Sequence, residues 1–154
     1  MKKRKNIKDY KIWYQKLYEL SQTDYLNLDE DTSFDLWHIH PDNEYFRDIN
    51  SESKEMHFRC LFALYRKGLD LGKQWKKPFQ CWILIDLENS IDDSVYFHTK
   101  NPNSDNFPYD FKGFKETDIF DGVLQNFNDE IDTLGKIEYN GYESYYVLPK
   151  IYLS

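Results

Sequence analysis

Residues 79–87, FQCWILIDL, give the strongest indication of the fold of this 154-residue chain. In an extended chain alternate side chains share a face. One face would then carry Phe79, Cys81, Ile83, Ile85 and Leu87, and the other Trp82 and Leu84. Apolar residues on both faces are typical of a central strand, so this segment predicts the middle of a sheet.

Three further segments predict the strands around it. DSVYFHT, 93–99, follows the turn sequence ENSIDD and returns as the second strand of a hairpin. SFDLWHIH, 33–40, has strand character and is ended by Pro41. KIEYNGYESYYV, 136–147, has alternating residues around an Asn-Gly pair, which favours a two-residue hairpin with a type I′ turn.

Helical patterns lie on both sides of the predicted first hairpin. Residues 52–71 carry a wide apolar stripe, with acidic residues at the start and Gly72 as a plausible stop. Residues 8–21 give a shorter amphipathic pattern, and residues 116–134 predict a short helix around Val123, Leu124 and Phe127. Together these patterns predict a single α+β domain over residues 1–154, with an about five-stranded, mainly antiparallel sheet and two principal helices packed on it.

The charge is unevenly distributed along the chain. The net charge is −7, but residues 1–11 carry six basic and one acidic side chain, so the remainder is strongly acidic. Residues 24–55 hold ten acidic and two basic groups. An acidic body repels the phosphate backbone, which argues against nucleic-acid binding. Complementary charge favours a basic protein partner, which this surface would attract.

Specific residues in the acidic stretch are candidates for contacting such a partner. Its carboxylates would steer and pair with lysines and arginines, and its tyrosines would anchor the centre of the contact. The candidate partner-binding residues are Asp29, Glu30, Asp31, Glu44, Tyr25 and Tyr45.

No segment predicts export or membrane insertion. The basic N-terminus is followed by the polar segment NIKDYKIWYQK, which lacks the apolar core of a signal peptide. No apolar run approaches the length of a membrane span. Cys60 and Cys81 both lie in apolar runs, where small buried thiols are expected, and two cysteines make no disulfide framework. We therefore predict a cytoplasmic protein without membrane association.

The histidines offer an alternative, enzymatic interpretation. His38 and His40 would lie on one face of the 33–40 strand, and His98 would join them if that strand paired with 93–99. Three imidazoles of this kind could hold Zn²⁺ with a nucleophilic water, or one could act alone as a general base, in a small hydrolase. Asp86 interrupts an apolar run and is a candidate acid–base group if it is buried. The competing interpretation is structural, because the chain has no H-E-x-x-H, C-x-x-C or G-x-S-x-G motif.

The chain resembles small bacterial proteins in four segments, FDLWHIHPD, HFRCLFALY, PFQCWILID and VYFHTKNPN. In size, acidity, aromatic content and the lack of a catalytic motif, the chain resembles the immunity proteins encoded beside bacterial toxins. That resemblance implies a protein partner, the toxin, and neutralisation by binding without a cofactor. It implies no catalytic residues.

Overall fold

The computed structural model describes residues 34–38, 51–75, 78–86, 93–99 and 108–153. The predicted helix at 8–21 lies outside these residues. The elements in chain order are β1 (Phe34–His38), α1 (Ser51–Trp75), β2 (Phe79–Asp86), β3 (Ser94–Thr99), β4 (Lys115–Glu116), a 3-10 helix (Leu124–Glu130), β5 (Thr133–Tyr139), β6 (Tyr142–Leu148) and a C-terminal 3-10 helix (Lys150–Leu153).

These strands form one sheet in the order β1-β3-β2-β6-β5-β4, and every pairing is antiparallel. The predicted α+β class with an antiparallel sheet is confirmed. β2 lies between β3 and β6, as its two apolar faces predict. Six strands are found where about five were predicted, because the two-residue edge strand β4 is too short to leave a sequence pattern.

The main core lies between α1 and one face of the sheet. The α1 stripe packs on the odd-numbered residues of β2 and on their partners in β3 and β6. Burying this apolar surface is the dominant stabilising contribution to the fold. The largest fully buried side chains of this core are Phe58, Leu61, Phe62, Leu64, Ile83, Ile85, Phe97 and Leu124.

The opposite face of the sheet carries a smaller apolar cluster around Trp82, Phe111 and Leu148. Hydrogen bonds join β2 to Tyr109 and Tyr152, which lie on this face of the sheet. The Gln80 amide nitrogen donates to the Tyr109 carbonyl at 2.9 Å, and the Tyr109 N–H donates to the Gln80 Oε1 at 2.7 Å. The Cys81 N–H donates to the Tyr152 hydroxyl at 3.0 Å. Buried polar groups that would lack partners are thereby satisfied.

Helix α1 is longer than the sequence pattern predicted. We expected Gly72 to end it, but the helix continues to Trp75. Gly72 is buried inside the helix, and the Phe79 ring occupies the space where its side chain would be. Here the glycine permits close approach of strand and helix, so its role is in packing and the predicted stop was wrong.

The short helix predicted within 116–134 is present, but as a 3-10 helix limited to Leu124–Glu130. This segment contains β4, an irregular connection, the 3-10 helix and the start of β5. Leu124 and Phe127 are buried three positions apart, which matches the 3-10 period of three residues per turn. Phe127 stacks on Phe62 with ring centroids 5.1 Å apart, so the apolar residues were correctly identified as core but their periodicity was misassigned.

The hairpin between β5 and β6 is confirmed. Asn140 and Gly141 have φ values of 52° and 84°, the left-handed geometry of a type I′ turn. Tyr139 pairs directly with Tyr142 across this turn. The turn fixes the register of β5, and β5 in turn positions the groove described next.

Candidate functional site

Residues 116–132 carry six acidic side chains and no basic ones. The protein's own cations compensate two of these carboxylates. The Lys54 ammonium lies 3.5 Å from the Asp121 carboxylate, and Arg66 pairs with Glu130. Both cations come from α1, so these pairs link the helix to the acidic segment.

Three other carboxylates have no such compensation. Glu116, Asp118 and Asp132 are exposed and line a groove of about 670 Å³ between β4, the first 3-10 helix and the start of β5. Within the part of the chain that the structure describes, no lysine or arginine nitrogen lies within 4.0 Å of these carboxylates. The groove therefore presents concentrated negative charge to solvent.

The Asp132 carboxylate also has a structural role. Its Oδ2 accepts the Lys150 backbone N–H at 2.6 Å, which fixes the start of the C-terminal 3-10 helix against the groove. The Lys150 residue is itself part of the groove lining. Glu116 and Asp118 make no side-chain hydrogen bond within the described residues, so their carboxylates are available to a ligand.

The walls and floor of the groove combine apolar and polar groups. Ile119, Ile131 and Leu134 supply apolar surface, and Gln125, Asn128 and Thr117 supply amide and hydroxyl groups. Thr133 also lines the groove and is only 4% exposed. Its Oγ1 is buried and has no hydrogen-bond partner among the described residues, which is uncommon in folded proteins. Together these features are those of a binding groove for a ligand with a cationic end and an apolar body.

Comparisons with protein-family models, curated proteins and solved structures found no match for this chain. Among the described helices, none is both long and apolar enough to cross a lipid bilayer.

The partner-binding residues that the sequence suggested all lie outside the described residues. They are Asp29, Glu30, Asp31, Glu44, Tyr25 and Tyr45. The groove carboxylates were not among the predicted residues, although a signal was present. Six acidic residues among 17 without a basic one is at least as strong a charge bias as that of the stretch at 24–55.

The structure settles part of the geometry around the histidines. β1 pairs with β3, as the zinc hypothesis requires, and His38 lies opposite Ser94. Since Ser94 precedes His98 by four residues, the backbone positions of His38 and His98 lie about 14 Å apart along the sheet. Among the described residues no group of three or more His, Cys, Asp or Glu is arranged to hold a metal ion. His40 lies outside them, so the zinc site stays a prediction.

The His98 ring belongs to an aromatic stack. It lies parallel to the Trp82 ring with centroids 4.9 Å apart, and Tyr109 meets it edge-on at 5.1 Å. Tyr96 stacks on the same Trp82 ring at 5.5 Å. Such contacts stabilise the second face of the sheet and account for an imidazole at this position without a catalytic role.

A buried histidine–aspartate pair lies elsewhere, between α1 and the start of β3. The His57 Nε2 lies 2.7 Å from the Asp93 Oδ2, and both side chains are fully buried. The Asp93 Oδ1 accepts the Asp86 backbone N–H at 2.9 Å. Asp86, the predicted acid–base candidate, lies half-buried at the end of β2. Because the partners are 36 residues apart, sequence spacing gave no signal for this pair.

Neither cysteine is expected to react in the folded protein. Burial raises the pKa of the Cys60 thiol to about 12, against a smaller lowering by the Arg59 guanidinium, and burial raises the pKa of Cys81 further still. A rise of the size seen for Cys60 lowers the thiolate fraction at neutral pH about a thousandfold. We expect an aromatic disulfide reagent to label the native protein about a hundredfold or more slowly than the denatured protein.

An Asp129→Cys variant gives the matched control for that measurement, because Asp129 is exposed. Its added thiol should be labelled at once under native conditions while Cys60 and Cys81 remain unlabelled. Fast labelling of either native cysteine in the wild-type chain would contradict the buried placement of these thiols.

Proposed function

We propose that this protein binds a basic protein partner and neutralises it, in the manner of the immunity proteins that it resembles. The observation that carries the proposal is the groove, where no lysine or arginine nitrogen of the described residues lies within 4.0 Å of the three exposed carboxylates. These carboxylates outnumber Lys150, the one basic residue in the described lining. The chain's net charge of −7 extends the same electrostatic bias beyond the groove.

The proposed mechanism separates attraction from docking. The net negative charge attracts a cationic domain over distances of about a Debye length, roughly 8–10 Å at physiological salt. Docking then places partner cations against Glu116 and Asp118 at the rim of the groove. Where the partner is a toxin, occupancy of its basic surface would block access to the toxin's own substrate. In this scheme the acidic residues at 24–55 add their charge to the long-range attraction.

Charge reversal in the groove tests the proposal. We expect a Glu116→Lys/Asp118→Lys double variant to associate with the partner about tenfold or more slowly at low salt, because both steering charges change sign. The partner is first isolated by affinity capture from the source cells on the wild-type chain and identified by mass spectrometry. Association rates of the purified pair are then measured between about 0.05 M and 0.5 M salt, where screening should slow wild-type binding markedly.

An Asp129→Lys variant provides the control, since Asp129 is exposed and acidic but does not line the groove. It should retain most of the association rate. Capture that yields no basic protein, or a partner that binds both variants equally, would refute the assignment of the groove as the docking site.

A further inference from the structure

We propose that the groove holds an arginine side chain of the partner. This inference rests on the proposed function and specifies what the same site recognises. The shape of the groove and the distribution of its polar and apolar groups support this assignment.

The apolar surface of the groove argues for a side chain with a long aliphatic stem. Ile119 and Ile131 are half-buried and Leu134 is buried, so the groove has an apolar lining beneath its charged rim. Arginine and lysine cover such surface with their methylene groups while the charged end reaches polar partners. A small inorganic cation would leave that apolar surface in contact with water.

The polar groups favour arginine over lysine. The groove offers more acceptor oxygens than the three donors of an ammonium group can use. These oxygens belong to the side chains of Glu116, Asp118, Gln125, Asn128 and Asp132. A guanidinium group has five donors in a planar fork and is less strongly hydrated, so it loses less on leaving water.

The size of the groove suggests that more than the arginine enters. A volume of about 670 Å³ falls in the range of pockets that enclose ligands larger than one side chain. The residues flanking the arginine on the partner would therefore lie in the same groove. This arrangement fits a protruding loop of the partner better than a flat surface.

N-acetyl-arginine amide is the probe that isolates this interaction. We expect it to bind the 154-residue chain with a dissociation constant of about 1 mM, the affinity of an efficient ligand of this size. Chemical shifts of the backbone amides of Glu116, Thr117 and Thr133 would report the site. Nα-acetyl-citrulline amide, which has nearly the same shape without the charge, should show no saturable binding. Nα-acetyl-lysine amide, which keeps its side-chain ammonium, should bind at least threefold more weakly than the arginine amide.

Two variants localise the effect. Asp118→Asn should weaken arginine amide binding about tenfold, as for one lost charge-assisted contact, whereas Asp129→Asn should leave it unchanged. Equal binding of the citrulline amide, equal weakening by both variants, or the absence of saturable shifts would overturn the arginine assignment. If a basic partner binds through the groove but the arginine amide does not bind, the arginine assignment is rejected and the proposed function stands. Arginine amide binding without any partner would support the site and reject the proposed function.

Discussion

Replacing Asp93 by alanine is expected to lower the free energy of unfolding by about 3 kcal/mol. The Asp93 carboxylate joins two elements, since it bonds the His57 imidazole of α1 and the Asp86 N–H at the end of β2. Alanine would leave both buried donors without this acceptor. Urea denaturation followed by circular dichroism measures the change. If only stability is affected, the dependence of the unfolding free energy on urea concentration stays the same.

Asp93→Asn separates the charge from the hydrogen bonds. Asparagine keeps the shape and one acceptor oxygen, so it can retain the bond from the Asp86 N–H. We expect a smaller loss than for alanine. Asp129→Ala supplies the surface control and should change stability by less than about 0.5 kcal/mol. A loss below about 1 kcal/mol for Asp93→Ala would mean that solvent or neighbouring groups replace the carboxylate readily.

The same pair shows why burial matters when a catalytic role is considered. A histidine hydrogen-bonded to an aspartate is the arrangement of a general base, but both side chains here are fully buried. A base must reach the proton that it abstracts, and no substrate reaches these atoms without opening the α1–sheet contact. The pair therefore supports the fold of the region between α1, β2 and β3.

The sequence predicted those elements whose signal is local. Helix α1, the central strand β2 and the Asn140-Gly141 hairpin each follow from periodicity or turn chemistry within one short segment. β4 could not be predicted, because two residues carry no periodicity and pair only where β5 offers an edge. The role of Gly72 depends on Phe79 packing against it, a tertiary contact that overrides the usual helix-stop signal.

The candidate groove was predictable in charge but not in shape. Composition alone gives the acidic bias of 116–132. The concavity arises only when the β4–β5 pairing brings Glu116 and Asp118 beside Asp132, some 14 residues later in the chain. For the predicted histidine cluster, the sequence indicated the chemistry but not the distances between the side chains. Its residue types suited metal binding, but the register of β1 on β3 decides their separation, and register is not readable from an isolated strand.

The second large effect is expected at Gly135, which lies buried in β5 opposite Glu116 of β4. A Cβ added there would lie 2.5 Å from the Lys115 carbonyl oxygen and closer still to the Phe114 ring, whereas real Cβ atoms essentially never approach within 3.0 Å. The Phe114 ring can tilt, but the Lys115 backbone can move only if β4 separates from β5. We expect Gly135→Ala to lower the free energy of unfolding by about 2 kcal/mol and the melting temperature by about 4–8 °C.

Gly122→Ala is the matched control, because a Cβ at Gly122 meets nothing within 4 Å. It should leave the melting temperature within about 1–2 °C of wild type, as for an ordinary surface substitution. Gly135→Ala should in addition weaken ligand binding in the groove, because Glu116 is displaced together with β4. Comparing the variants at a temperature where both are folded separates the two effects. Wild-type stability with wild-type groove binding in Gly135→Ala would show that β4 is not held against β5 as tightly as its backbone contacts indicate.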